Sequence, residues 1–229
     1  MYLTILLPFF NEDKLIENNI LQIIEYFKPK FEFEIIIIND SGKANPILER
    51  LNSKFDYFFI LNNKKNFGKG YSLRKGFSLS KGKLVLLCDA DLATPIEEFD
   101  KLYKFYNQNY QFVIGSRSTA DSKIIIKQSF IRIFTGKIYN YLIKFILGLN
   151  FQDTQCGFKL ISRSVLDEII KYTTSNRFGL DIELINFANK NKYKIYEVGI
   201  IWKEKKSSSV SIIKDSFIML FEILKLRFK

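Results

Sequence analysis

Apolar residues in this chain come in short dense runs, separated by longer stretches in which they recur at helical spacing. Tyr2–Leu7, Phe33–Ile38 (FEIIII), Tyr57–Leu61, Leu84–Cys88 and Phe112–Ile114 are the dense runs. Nearly continuous apolar character of this kind predicts strands covered on both faces. Between them, Glu12–Phe27, Pro46–Lys54, Gly68–Ser80 and Pro95–Asn107 read as helices, the first with Leu15, Ile16, Ile20, Ile23, Ile24 and Phe27 on one face. Strands alternating with helices predict right-handed βαβ units and a mostly parallel sheet flanked by helices.

The pattern changes after Gly115. From Ser122 to Gln152 there is no acidic residue, while Lys123, Lys127, Arg132, Lys137 and Lys144 are spread among Ile, Phe, Tyr and Leu. A turn-rich stretch, Asp153–Lys159, precedes two short helices and a last strand, Ile195–Ile201. A Lys/Ser loop (KEKKSSS) then leads to a terminal helix, Val210–Lys229. On that helix Ile213, Phe217, Leu220, Phe221, Leu224 and Phe228 share one face, which Ile212, Met219, Ile223 and Leu226 widen beyond a simple core stripe. The simplest partition is one α/β domain over 1–209, with a basic amphipathic segment at 122–149, followed by an amphipathic helix at 210–229.

Composition narrows the chemistry. A net charge of +11 over 229 residues asks for an acidic partner: phosphorylated metabolites, an anionic membrane or nucleic acid. Abundant Lys, Asn, Ile, Phe and Tyr together would also follow from an AT-rich genome. No nucleic-acid motif is present and the basic segments are rich in Ile and Phe, so a nucleic-acid partner is not expected. There is no histidine, which excludes an imidazole base or ligand. Two cysteines, Cys88 and Cys156, are too few for a disulfide framework and read as reduced and structural, in a cytoplasmic protein. MYLTILLPFFNED has no basic region ahead of its apolar run and reads as a strand rather than a leader. No run reaches the roughly 20 apolar residues of a membrane span.

Candidate chemistry sits where strands end in polar residues. In an open parallel sheet, ligands bind at the carboxyl edge where strand order reverses. The first strand ends in Pro8 and Asn11-Glu12, the second in Asn39-Asp40, the fourth in Asp89-Ala90-Asp91. Single Asp and Asn residues there are also ordinary caps and turns. Two carboxylates two residues apart repel unless a cation lies between them. Delivered to one rim by a buried strand, Asp89 and Asp91 predict a site for Mg²⁺ or Mn²⁺ held together with substrate phosphates. Lys69, at a glycine-flanked helix start, suits phosphate.

In their order, LLPFFNED, IIINDSG, NFGKGYSLRKGF, LLCDADLATP, VIGSR and DTQCGFKLISR resemble the motifs of a family 2 glycosyltransferase of the A-type fold, across essentially the whole chain. The last two resemble the branch that makes polyprenyl-phosphate sugars, the dolichyl-phosphate β-glucosyltransferases more than the mannosyl enzymes. The resemblance implies inverting, metal-dependent transfer of a hexose, glucose from UDP-glucose, to a polyprenyl phosphate. It implies a nucleotide-sugar pocket lined by Pro8, Asn11, Glu12, Asp40, Lys69, Asp89, Ala90 and Asp91, the metal on Asp89 and Asp91, and acceptor phosphate on Arg117 and Arg132. Three departures stand out. Ser41-Gly42 replaces the usual Gly-Ser, Ala93 stands where the mannosyl branch carries Gln, and Ser207-Ser208-Ser209 replaces a Gly-Ser-Lys, with Lys205 and Lys206 close by.

A phosphate acceptor is already largely dianionic at neutral pH, its second pKa being near ~6, so it needs an arginine more than a base. Asp153 is left with three readings: orienting the acceptor, acting as base, or capping its turn. Asp181 and Glu183, in FGLDIELI, read as helical acids that face either the sugar or the helix surface. A hydroxyl acceptor in capsule or lipopolysaccharide assembly would instead make Asp153 an obligatory base. A catalytically silent lipid- or nucleotide-binding module would not need the Asp89/Asp91 pair. The basic amphipathic segments suit a peripheral position on the cytoplasmic membrane face; packing on the main domain or a homo-oligomer contact would use the same apolar surface.

Overall fold

The computed structural model describes all residues except 12–14, 127–129, 204–220 and 228–229, with 130–133 as helix backbone only. In chain order the elements are β1 (Leu3–Phe9), α1 (Ile16–Phe27), β2 (Phe33–Asn39), α2 (Pro46–Lys54), β3 (Phe58–Asn62), α3 (Lys69–Leu79) and β4 (Leu84–Leu87). A 3₁₀ turn (Ile96–Glu98) leads into α4 (Phe99–Tyr106). There follow β5 (Phe112–Ser116), β6 (Lys123–Ile126), α5 (Phe130–Leu147), β7 (Lys159–Ser162), α6 (Arg163–Ile169), α7 (Gly179–Lys190), β8 (Ile195–Gly199) and β9 (Ile201–Lys203). The main sheet runs β3-β2-β1-β4-β7-β5-β8, and a separate pair joins β6 to β9. Within the main sheet only β7 runs against its neighbours, β4 and β5. From β1 the chain winds outward through β2 and β3, then returns to place β4 on the other side of β1. The switch point, and with it the ligand crevice, therefore lies at the carboxyl ends of β1 and β4.

The dense apolar runs are explained by burial on both sheet faces. Ile35 and Ile37 enter one core with α1 and α2; Ile36 and Ile38 enter the other, with α3 and α7. Each such side chain contributes roughly 1.5–3 kcal/mol when taken from water. Glu34, the one polar residue of FEIIII, is buried but satisfied: Thr4 Oγ1 donates to it at 2.6 Å and the Lys81 backbone N–H at 2.6 Å. Helix α2 starts where sequence chemistry puts it. Asn45 Oδ1 accepts from the N–H groups of Ile47 and Leu48, and Pro46 occupies the first helical position.

The structure differs from the sequence pattern in four places. β7 is a strand within the stretch expected to be turn and helix. It is only four residues long and opens with Lys159, a fully buried lysine whose charge is hidden by a 2.5 Å contact with Asp181. The segment 122–149 is not helical throughout: Lys123–Ile126 pairs as an exposed strand with β9, and the helix runs from Phe130. The expected last strand, Ile195–Ile201, splits after Gly199, whose N–H donates to Asp121 Oδ2 as the chain leaves the main sheet. Helix α1 begins at Ile16, not at Glu12.

Residues 221–227 are helical and join the main domain. Ile223 and Leu226 are buried in the α7-side core, while Phe221 and Leu224 are exposed. Arg227 donates to the Ile146 carbonyl at 3.0 Å. Most of the expected 210–229 helix, like Lys205 and Lys206, lies outside the described residues.

Candidate active site

The crevice is built from the loops that follow β1, β2, β4 and β5. After β2, buried Asp40 does not stand free. Its Oδ1 accepts from Asn63 Nδ2 (2.7 Å) and the Phe67 N–H (3.0 Å), and its Oδ2 from the Gly68 N–H (2.8 Å). Asp40 thus pins the loop that launches α3. That loop needs glycine: Gly68 has φ +101°, and a Cβ on Gly68 or Gly70 would lie 2.3 Å or 2.5 Å from the carbonyl oxygens of Asn176 or Ser175. Lys69 is thereby fixed at its Cα as the first residue of the helix, with a long side chain above.

The Lys69 ammonium meets Asp89, with Nζ 2.7 Å from Oδ1; the side chains keep 20% and 43% of their surface exposed. Burial works to raise the Asp89 pKa, but Lys69 overrides it, helped by Lys159 and Arg117, and holds the carboxyl below its ordinary range. Burial likewise opposes the Lys69 ammonium, and Asp89 and then Asp181 outweigh it, raising its pKa. The backbone of Gly157 lies against the Asp89 carboxylate: a Cβ there would fall 2.1 Å from Oδ2 and 2.6 Å from Oδ1. The turn beyond is tight. Leu92 has φ +48°, its N–H donates to the Asp89 carbonyl, and Asp91 Oδ1 accepts from the Ala93 N–H at 2.9 Å. Asn19 of α1 fastens the Ala90 carbonyl at 2.9 Å.

Arg117, near enough to act on Asp89, forms a pair with Asp153. Asp153 Oδ2 accepts from Arg117 Nε (2.6 Å) and the Arg117 N–H (3.0 Å); its Oδ1 accepts from Arg117 Nη2 (2.8 Å) and the Gln155 N–H (3.2 Å). Burial pushes the Asp153 pKa up and Arg117 pulls it down further, leaving it below the carboxylate range. The guanidinium also stands 5.6 Å from the Trp202 ring centroid. Cys88 and Cys156 are buried free thiols, raised by burial first and by nearby carboxylates after it, Cys156 to about 11. They are protonated at neutral pH and inert.

Of the residues expected here, Lys69, Asp89, Asp91, Arg117 and Asp153 gather at one rim. Pro8 pairs with Ile38 at the end of β1, and Asn11 is exposed with φ +57°. Glu12 and the Arg132 side chain lie outside the described ones. Asp181 and Glu183 are buried acids with structural partners: Asp181 holds Lys159, and Glu183 accepts from the Thr174 and Ser175 N–H groups. Sequence reasoning missed Glu197, whose carboxylate accepts from the N–H groups of Gln152 (2.9 Å) and Asp153 (2.7 Å). A lone acid in the apolar strand IYEVG was its one signal. It also missed Gly157 and Trp202, the latter marked only as the sole tryptophan.

A carboxylate already facing a cation, on a rim of hard oxygen donors, fits a divalent metal. Among the described residues no three His, Cys, Asp or Glu side chains converge, so such an ion would complete its shell with phosphates and water.

A mostly parallel sheet of this strand order, flanked by helices, with a paired carboxylate and fixed cations at its switch point, defines a GT-A-like α/β protein. The sequence matches the family described as glycosyl transferase family 2 over residues 4–170, and the chain belongs to that family. It is a glycosyltransferase. A dolichyl-phosphate beta-glucosyltransferase of Trichomonas vaginalis is 31% identical over 93% of this chain and 69% of its own. One from Dictyostelium discoideum is 29% identical over 100% and 75%, and the human one 27% identical over 91% and 69%. Among solved structures, glucosyl-3-phosphoglycerate synthase from Mycobacterium tuberculosis with UDP has the same fold, with TM-score 0.70 and 16% identity over 99% of this chain and 80% of that one. The same synthase with Mn²⁺, UDP-glucose and phosphoglyceric acid aligns at TM-score 0.65, with 15% identity over 99% and 80%.

Proposed function

We propose that this glycosyltransferase transfers glucose from UDP-glucose to a polyprenyl phosphate, with inversion and with a divalent cation, at the cytoplasmic face of a membrane. The observation that carries the acceptor is the Arg117–Asp153 pair. Each Asp153 oxygen accepts two N–H donors, so the carboxylate suits orienting Arg117 rather than taking a proton. A hydroxyl acceptor needs a base; a phosphate does not, being largely dianionic above pH ~6. The remaining terminal nitrogen of Arg117, Nη1, is the donor assigned to the acceptor phosphate, with Arg132 as its partner. The family's shared chemistry and the dolichyl-phosphate acceptor named for the relatives support the same reading.

On the donor side, Lys69, Asp89 and Asp91 hold the diphosphate and its cation, Mg²⁺ or Mn²⁺. When bound, the cation supplies charge neutralisation for the leaving diphosphate. Pro8, Asn11, Glu12 and Asp40 border the nucleoside end, Asp40 by holding the loop before Lys69. The tightness of the Ala90 turn keeps Asp89 and Asp91 on one rim.

The lipid acceptor requires a membrane, and among the described residues no helix is long and apolar enough to cross one. Helix α5 offers a surface instead. Tyr139 and Ile143 pack inward, while Phe134, Ile138, Tyr141 and Phe145 stand exposed at helical spacing, beside Lys137 and Lys144. Phe221 and Leu224 are exposed on the neighbouring helical turn. An apolar outer face flanked by lysines suits anionic headgroups. The test is transfer of radiolabelled sugar to extracted polyprenyl phosphate across a panel of UDP- and GDP-sugars. UDP-glucose should label the lipid; label found only in a lipid-free glycan would overturn the assignment.

A further inference from the structure

We infer that Lys69 is a tethered counter-ion which occupies Asp89 in the resting enzyme and changes partner when a nucleoside diphosphate and its divalent cation arrive together. The inference rests on the donor site proposed above and adds an order to its filling. Three observations carry it. First, the Lys69 ammonium already occupies Asp89, 2.7 Å from Oδ1, on an oxygen that a metal ion held by this carboxylate would compete for. Second, the Gly157 backbone crowds the same carboxylate, lying too near both oxygens for even a Cβ. Third, the base of Lys69 is fixed as the first residue of α3, so a change of partner falls to its long side chain. Gly68 is held by Asp40 and packed under Asn176, leaving the flexible side chain as the part free to move.

Charge then dictates the order. A divalent cation alone would have to displace an ammonium from the carboxylate and leave that ammonium unpaired beside it. A diphosphate arriving with the cation gives the displaced ammonium a new anion at the start of α3. Metal and nucleotide therefore bind together, and the chain by itself holds the metal only weakly. In the absence of donor the carboxylate stays neutralised by the protein's own cation.

The test measures Mn²⁺ binding by the electron paramagnetic resonance signal of the free ion, with and without UDP. The wild type should bind Mn²⁺ weakly alone and at least tenfold more tightly with saturating UDP, about 1.4 kcal/mol. Lys69→Met, with Lys69→Gln as a second variant, should bind Mn²⁺ alone at least tenfold more tightly than the wild type. Lys69→Arg should keep the weak binding. Lys75→Met removes a positive charge from the same helix where it meets Asn63, not Asp89, and should change Mn²⁺ affinity less than twofold. Adding Asp89→Asn to Lys69→Met should erase the gain. If UDP enhances Mn²⁺ binding in the wild type but Lys69→Met and Lys69→Gln bind Mn²⁺ alone no better, the exchange is wrong and the donor site stands. If UDP enhances nothing in the wild type, the donor site falls and takes the exchange with it.

Discussion

Asp153 is the residue whose surroundings discriminate most between acceptors. Its two oxygens are filled by Arg117 and the Gln155 N–H, and its backbone is held by Glu197. If it orients Arg117, then Asp153→Asn keeps measurable turnover, and the rate still rises with pH through the acceptor's ionisation near ~6. If it were a base, that substitution would silence the enzyme. Arg117→Ala should cost about 2–4 kcal/mol in kcat/KM for the acceptor, since a charge-assisted pair is lost from a poorly solvated site. Arg117→Lys, which keeps charge but not the fork, separates this from loss of folding. A second expectation concerns Glu197, argued to be a positioning residue that acts through the backbone N–H groups of Gln152 and Asp153. Glu197→Gln should raise the acceptor KM and leave the donor KM unchanged, and Glu197→Ala should do so more strongly; equal effects on both KM values would mean general loosening. The sequence marked candidates by local pattern, Asp89 and Asp91 after a strand and Lys69 at a glycine-flanked helix start, and the structure brings Lys69 to Asp89. Glu197 was not marked, because a carboxylate that only accepts backbone N–H groups across 44 residues leaves no local pattern. Asp40 was found for its position, although its bonds go to the α3 loop.

Elements were legible in proportion to how far local pattern agrees with tertiary surroundings. The run FEIIII is a strand because both its faces are covered, and Asn45-Pro46 starts a helix by its own chemistry. β7 escaped because its first residue is a lysine, whose burial is made tolerable by the Cys156 carbonyl and by Asp181, 22 residues away. The stretch 122–149 was read as one amphipathic piece because Ile-rich strands and helices look alike over a few residues. Helix α5 carries the prediction at this scale. It is apolar inward and outward, with Tyr141 and Phe145 among its exposed aromatics. Replacing Tyr141 and Phe145 together by Ser should leave the melting temperature within a few degrees of the wild type and move the protein from pelleting with anionic liposomes to the supernatant. Co-sedimentation equal to the wild type would remove α5 as the docking face.

For the molecule as a whole, the absence of histidine and the position of its carboxylates set how stability responds to pH. With no imidazole, the side-chain class that ordinarily titrates between about pH 5 and 8 is missing. Asp153, Asp89 and Asp121 are held below the carboxylate range, each against the effect of its burial: by Arg117, by Lys69, and by hydrogen bonds from Thr119 and the backbone. A carboxyl with a depressed folded pKa stabilises the fold above its unfolded value, near ~3.9, and that contribution is lost as pH falls through the folded value. Glu222 works the other way, raised by burial and then by Glu183, so its contribution declines as pH rises above its unfolded value, near ~4.3. Three carboxyls against one predict a melting temperature nearly level from about pH 6 to 8 and falling steeply below about pH 4. Asp153 is the most buried of the three and pairs with a guanidinium that stays charged throughout. Asp153→Asn should therefore lower the melting temperature at pH 7 and remove part of the fall on acidification, so that the two proteins converge toward pH 2. Parallel curves at every pH, measured by calorimetry, would mean that the pair contributes packing and hydrogen bonds but no linked proton.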